Sequence, residues 1–275
     1  DAIDNSKILA DAGGMSFAAG YGGKTGAGVS IGTALAVNVI TNETRTAITG
    51  NSNIGSVGNP AGAVSLITVA DSHVWALTFA GSGAVGISKD KFGGAVALDG
   101  AGSVNIISNT IESVMDESSV LGNGGAITLS ATDQSDIIAN AGALSGSFNF
   151  SGKTGAAASV GISAAVNVID NSTLAVISDS TVGTAGNPMG AVSLTASSDT
   201  DIWALTIAGS GAVGISKSQF GLALAGAGAG SVNVVDNTID AGITGTSSVY
   251  SNGGLTITAT DNTGIIANAG GVAFA

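Results

Sequence analysis

Two stretches of nearly the same text, residues 74–109 and 202–237, each contain two long runs in which bulky and small residues alternate. In the later copy Trp203, Leu205 and Ile207 share one parity, while Ala, Thr and Ser fill the other. Because successive side chains of a β-strand point to opposite faces, this period of two predicts long strands with one bulky and one small face. No helical periodicity interrupts them, so we expect an all-β chain.

The same alternation recurs along the whole sequence. Trp75 and Trp203 lie about 128 residues apart, and a half-period of about 64 residues separates the lysines of a polar turn. These lysines are Lys24, Lys89, Lys153 and Lys217. Repeats of this length predict stacked units that bury their faces on one another. We expect one continuous array of four ~64-residue repeats in A-B-A-B order. It divides into a partial repeat (1–14), two double repeats (15–142 and 143–270) and the start of the next repeat (271–275).

This pattern favours an elongated parallel β-solenoid, or β-helix. Each repeat would hold two long strands joined at the lysine turn, then short strands ending at an Asp-rich turn. Asn42 and its counterparts would form a further corner, because Asn tolerates left-handed backbone. Two architectures stay open. In the first, about three coils of ~21 residues make one repeat, giving roughly thirteen coils that rise ~60 Å. In the second, each repeat is one wider coil or carries its two long strands as a hairpin arm with the lysine turn at the tip. We expect the small residues to face outward and both tryptophans, Trp75 and Trp203, to fill the core.

Composition excludes several classes of function. The chain carries 7 basic and 19 acidic residues, a formal charge of −12, which argues against nucleic acid and anionic membrane surfaces as partners. There is no cysteine, and no uninterrupted apolar run long enough for membrane insertion. Of the 275 residues 44 are glycine, but without the Gly-X-Y period of collagen. The first residues lack the features of a signal peptide, so we interpret the chain as an excised or processed piece.

No residue pattern predicts a catalytic, cofactor-binding or metal site. The single histidine, His73, has no nucleophile near it in sequence and is interpreted as a solvated turn residue. Calcium is kept as a candidate ligand of the Asp-rich turns, although the calcium-binding repeat G-G-x-G-x-D is absent. The only arginine is Arg45, so the clustered carboxylates and basic residues of polysaccharide-cleaving enzymes are not evident. The Asp-rich turns comprise Asp71, Asp133–Asp136, Asp199–Asp201 and Asp261.

Two segments carry a family resemblance: GAAASVGISAAVNVIDN (155–171) and GAVSLTASSDTDI (190–202). This text resembles the repeat regions of giant bacterial adhesins, the filamentous-haemagglutinin-like group with its leukotoxin-type repeats. The resemblance implies an extracellular β-helical shaft at the bacterial cell surface, with no defined site residues in the repeats.

We therefore expect a structural segment, a shaft or filament-forming region of a large extracellular fibrous bacterial protein. Its partners would be copies of itself, adjacent repeats of a longer parent chain, or host and cell-surface glycans. An alternative is an adhesin module that binds carbohydrate or calcium along one face of the solenoid. A polysaccharide-active β-helix enzyme is the third interpretation.

Overall fold

The computed structural model describes all 275 residues, and it contains strands and turns but no helix. The chain accordingly has no helix that could cross a bilayer. In chain order the strands are β1 (Ala2–Gly22), β2 (Thr25–Ile48), β3 (Asn53–Ile54), β4 (Val64–Ser88), β5 (Phe92–Asp116), β6 (Ser119–Val120), β7 (Ile127–Ser151), β8 (Thr154–Ile169), β9 (Ser172–Ser178), β10 (Thr181–Val182), β11 (Val192–Ser216), β12 (Phe220–Val235), β13 (Thr238–Thr244), β14 (Ser248–Val249) and β15 (Leu255–Phe274).

The strands form three sheets in which every strand pairs in parallel with its neighbour. Sheet 1 has the order β1-β4-β7-β11-β15. Sheet 2 stacks β2, β5, then β8 with β9, then β12 with β13. Sheet 3 stacks the short strands β3, β6, β10 and β14. The chain thus visits sheets 1, 2 and 3 in turn before it returns to sheet 1, an arrangement consistent with the predicted parallel β-solenoid.

One passage through the three sheets, here called a pass, uses one whole predicted repeat. Stacked asparagines in successive passes are 67, 62 and 66 residues apart. The narrow winding with three coils per repeat is therefore wrong, and the wide coil is the one observed. Strands of 25 residues are about 80 Å long. Five strands stacked about 4.8 Å apart rise only ~19 Å, so the molecule is wide and short, and not a rod of ~60 Å.

The expected orientation of the two strand faces is reversed. The small residues of sheet 1 point inward, so that Ala76 and Ala80 are fully buried between sheets 1 and 2. The bulky residues point outward, and Trp203, predicted to fill the core, is 38% exposed; Trp75 lies on the same outer face. The reason is the close approach of the two sheets, which leaves no space for larger side chains between them. A methyl group at Gly86 would lie 2.0 Å from the carbonyl oxygen of Gly94.

The interior widens from one end of the long strands to the other. Beside sheet 3 it holds the largest core cluster, with side chains such as Ile111, Met115 and Leu194. Isoleucines such as Ile107 and Ile137 form the next cluster, and alanines alone make up the clusters nearest the lysine turns. The cross-section of a pass is therefore a wedge, because a third sheet holds sheets 1 and 2 apart only at one end.

The predicted Asp-rich turns are not turns. Asp71, Asp133 and Asp199 all lie inside the long strands of sheet 1. The predicted asparagine corner is only partly present, since β2 and β5 run without a break through Asn42 and Asn109. The non-glycine residues with left-handed backbone lie instead between sheets 2 and 3: Asn51 (φ 59°), Glu117 (φ 46°) and Asp179 (φ 43°). Glycines adopt it there too, at Gly50 and Gly245, and others adopt it after the short strands of sheet 3.

Candidate functional site

An asparagine ladder runs through the interior along the stacking direction. The Nδ2 atom of Asn38 donates to Oδ1 of Asn105, Asn105 donates to Asn167, and Asn167 donates to Asn233, each at 2.7 Å. Asn105 and Asn167 are completely buried. Each buried amide is satisfied by its counterpart in the next pass, so this ladder joins passes and presents nothing to a ligand.

A second polar seam crosses between sheets 1 and 2. The amide of Asn171 donates to Oδ2 of Asp133 (2.8 Å) and to the hydroxyl of Ser135 (3.0 Å), and Ser198 also donates to Asp133. Asp133 is completely buried, and this burial raises the pKa of its carboxyl group despite the three hydrogen bonds that favour the charged form. Asp133 is therefore held inside by neutral hydrogen-bonding side chains, and it does not reach the surface.

The single histidine belongs to a row of acidic residues on the outer face of sheet 1. The sequence predicts a turn at His73, but this residue lies in the middle of β4. Its Nε2 atom is 2.7 Å from Oδ1 of Asp71, and its Nδ1 atom is 3.2 Å from Oδ2 of Asp136. Burial raises the pKa of the Asp136 carboxyl group, His73 lowers it, and Asp201 raises it further. Asp136 on β7 and Asp201 on β11 thus lie close enough for their carboxylates to repel each other.

A shallow concavity of about 320 Å³ adjoins this acidic row. Asp136, Asp201 and Trp203 line it, and Gly264 leaves room for the carboxylate of Asp201, because a methyl group there would lie 2.1 Å from Oδ1. Trp75 occupies the corresponding place two strands away. An exposed indole beside carboxylates can stack on a flat apolar ring face while the oxygens accept hydrogen bonds from hydroxyl groups.

The acidic residues do not converge as a calcium site would require. Asp133 points into the interior, whereas Asp71, Asp136 and Asp201 point outward from the same sheet. No three carboxylate or histidine side chains come together in a group that could hold a metal ion.

The lysine turns fall where they were predicted, between sheets 1 and 2, and they stack into one basic edge. This edge contains Lys24, Lys89, Lys91, Lys153 and Lys217. The ammonium group of Lys89 lies 5.8 Å from the centre of the Tyr21 ring, and the hydrogen bond to Tyr21 raises the pKa of Lys89. The sequence shows that these lysines recur, but only the wide coil aligns them. Arg45 is separate from this edge and pairs with Glu112 at 2.8 Å.

Both long sheets end in strands with an unpaired edge, and in sheet 1 these strands are β1 and β15. β1 pairs only with β4 and β15 pairs only with β11, so each presents a free edge of about 20 residues. Backbone hydrogen bonds between passes give the direction of the free groups. Lys89, at an outward position, donates its N–H to the carbonyl of Gly22 in the preceding pass, whereas inward-facing Ile127 donates to Ala191 in the following pass. Outward residues of β1, such as Ala19, therefore direct their N–H groups to the open edge.

Comparison with known proteins identifies no relative. No protein-family model matches the chain, and no curated protein and no solved structure matches it either.

Proposed function

We propose that the chain is a structural segment, a β-solenoid of four ~64-residue repeats in A-B-A-B order that stacks through its open edges into a shaft or filament. One observation carries this proposal. Sheet 1 begins with β1 and ends with β15, and each of these strands has a long unpaired edge. Both strands run in the same direction and occupy the same register positions. Unpaired edges of this length are templates for pairing with another chain. Phe274 shares a register position with Phe17, so the two edges present matching side-chain patterns.

The interior supports the same proposal. The asparagine ladder bonds each pass to the next, as a shaft requires, and Ser198 donates to Asp133 of the preceding pass. The text resemblance to giant bacterial adhesins favours an extracellular or cell-surface parent protein, with partners among copies of itself or adjacent repeats.

The geometry of stacking has one further feature. Sheet 1 contains five strands and the body of sheet 2 contains four, because no sheet-2 strand follows β15. A second copy that pairs its β1 with β15 would therefore leave one strand position empty between β12 and its own β2. Separate copies would then be joined only by the strand pairing of sheet 1. A chain that continued after β15 would supply the missing sheet-2 strand.

The test is electron microscopy of the purified chain and of a variant with blocked edges. The double variant Leu9→Pro/Ala19→Pro removes two outward N–H groups from the open edge of β1 and leaves the bonds to β4 in place. We expect filaments from the unaltered chain, with a 4.8 Å reflection along their axis, and their loss in the proline variant. The matched control Leu9→Ser/Ala19→Ser keeps the amides and should still form filaments. Single short particles from the unaltered chain at high concentration would contradict self-assembly.

Carbohydrate binding along one face is a second candidate, and the outward position of Trp203 favours it. The indole beside Asp136 and Asp201 offers a stacking surface with hydrogen-bond acceptors. Titration of intrinsic tryptophan fluorescence with neutral oligosaccharides tests this candidate. Saturable quenching that is lost in Trp203→Ala and retained in Trp75→Ala would support it. An enzyme acting on polysaccharide remains the third interpretation, and release of reducing ends from such a polymer would be its test.

A further inference from the structure

The outer face of sheet 1 exposes a broad apolar surface. Its central region, here called the apolar face, extends along the strands from Trp75 to Ile87 and across all five strands. Its most prominent side chains include Leu144, 58% exposed, and Phe148, 51% exposed. Only one charged residue, Asp11 on β1, lies on this face. The acids that give the chain its charge of −12 are thus almost entirely outside it.

The size of the apolar face matches that of a stable protein interface. Twelve residue steps along a strand span about 40 Å, and five strands span about 20 Å, which gives roughly 800 Å². A monomeric protein rarely exposes a contiguous apolar patch of more than a few hundred Å². A standard interface buries about 800 Å² on each partner. The face therefore has the extent that one close partner would cover.

The apolar face has raised and hollow regions because A and B repeats alternate along the stack. Where one pass has a large side chain, the neighbouring pass often has glycine: Leu144 on β7 pairs in register with Gly81 and Gly209. The Leu144 side chain leans over Gly209, where a methyl group would lie 2.9 Å from its Cδ1 atom. The result is two hollows, of about 730 and 590 Å³, with Leu144 between them. Glycines such as Gly142 and Gly146 line their floors.

We propose that the apolar face of sheet 1 binds the same face of a second copy of this chain in a two-fold symmetric dimer. On β7, Leu144 stands one outward position from Gly146. A two-fold axis between these positions places Leu144 of each copy over Gly146 of the other, a self-complementary fit of the kind that isologous interfaces have. The near absence of charge lets the faces approach although each copy is strongly acidic. Sheets paired face to face lie about 10 Å apart, close enough for these side chains to interdigitate.

This dimer is independent of the proposed stacking. Face-to-face contact uses side chains that point away from sheet 1, and it leaves the backbone edges of β1 and β15 free. The variant Leu9→Pro/Ala19→Pro separates the two assemblies, since it blocks the open edge and retains the central hollows and Leu144. Filaments without dimers would overturn the present inference alone, and dimers without filaments would overturn only the proposed stacking.

Sedimentation velocity of the edge-blocked variant at increasing concentration is the experiment. We expect a concentration-dependent dimer. Adding Leu144→Glu or Phe148→Glu should weaken it at least tenfold, because each places a charge in the centre of an apolar interface. Both side chains are half exposed in the single chain, so circular dichroism should show an unchanged fold. The matched control Val37→Glu, on the outer face of sheet 2 and 62% exposed, should dimerise normally. A monomer at all concentrations, or a dimer unaffected by both glutamate variants, would overturn the proposal.

Cysteine cross-linking tests the register of the two copies. The chain has no cysteine, so a mixture of Leu144→Cys and Gly146→Cys chains reports only the introduced pair. Because facing strands about 10 Å apart are too far for a direct disulfide, a short bismaleimide serves as the cross-linker. We expect it to join the two variants to each other and to give little product from Val37→Cys mixed with either. A membrane is the competing occupant of an apolar face. Flotation with neutral phosphatidylcholine vesicles, accompanied by no dimer in their absence, would replace the second copy with a lipid surface and overturn the proposal.

Discussion

At the scale of single residues, the asparagines of the interior ladder are satisfied by their counterparts in neighbouring passes. Asn105 accepts from Asn38 and donates to Asn167, and both bonds measure 2.7 Å. None of these partners is close in sequence. The hydrogen bonds of the ladder therefore exist only when successive passes are stacked in register, and they penalise any slip between them.

Replacing Asn105 by alanine should accordingly be costly. The change leaves a donor on Asn38 and an acceptor on Asn167 buried without partners, and each such group costs about 1–3 kcal/mol. We expect the free energy of unfolding to fall by about 2–4 kcal/mol in equilibrium urea unfolding. The control Asn5→Ala, on the exposed outer side of β1, should change it by less than about 0.5 kcal/mol. Equal effects of the two variants would contradict the ladder.

The buried carboxyl groups predict how stability depends on pH. Burial raises the pKa values of Asp133 and Asp99 above the ordinary value of about 3.9. The folded state therefore favours their protonated forms. The resulting stabilisation is complete below that ordinary value and is lost as the pH rises through the raised pKa values.

The unfolding midpoint in urea should thus be higher at about pH 4, close to the ordinary value, than at about pH 7.5. The variant Asp133→Asn cannot ionise and should show a smaller difference between these two conditions. Asp179, whose pKa is lowered by hydrogen bonds from Thr246, has the opposite sign, but its contribution is lost only under more acidic conditions. A midpoint that increases steadily across this range would contradict the effect of the buried carboxyl groups.

At the scale of strands, the wedge-shaped interior explains why the inward side chains become smaller towards the lysine turns. Beside sheet 3 the gap between sheets 1 and 2 admits Leu129, in the middle it admits Ala139, and near the lysine turn it admits Gly86. The third sheet holds the first two apart at one end, and the tight turn draws them together at the other.

Glycines on the two faces of sheet 1 should therefore respond differently to substitution. Gly86→Ala places a methyl group against the backbone of Gly94, and we expect destabilisation of at least about 1–3 kcal/mol. Gly211→Ala, on the outer face with nothing within 4 Å, should be neutral or stabilise by up to ~1 kcal/mol. Thermal unfolding of both variants measures the contrast. A harmless Gly86→Ala would mean that the sheets are farther apart at this end.

Sequence alone predicts the strands and their parallel stacking, because alternation and recurrence are written directly in the text. It does not predict which face is inside. Bulky residues normally fill a core, and that expectation misplaced Trp75 and Trp203. Glycine gives no signal either, because it occurs on both parities, at Gly86 inside and at Gly81 and Gly211 outside. The candidate site at Trp203 was missed for the same reason, and His73 was misplaced because Asp-rich text resembles a turn.

At the scale of the whole molecule, the unequal sheets give a prediction about length. Ala275 occupies the register position after Phe17, so appending a second copy of residues 19–63 after Ala275 would complete the fifth pass. The added sheet-2 strand should cover β12 and bury the half-exposed inner residues of the last pass. We expect a higher unfolding temperature and longer filaments by electron microscopy. A scrambled appendage of equal composition is the control, and equal behaviour of the two would contradict the stacking geometry.

The orientation of the strands also sets how the molecule responds to force. A load directed along the strands must shear the bonds of a 25-residue strand together, whereas a load along the stacking direction peels one pass from the next, bond after bond. Each pass that detaches would release roughly 210 Å of chain at ~3.3 Å per residue. A protein pulled along its stacking direction would therefore lengthen in nearly equal steps, one for each pass that detaches. The passes would stack again when the force is removed, so the repeat period sets the length of each step.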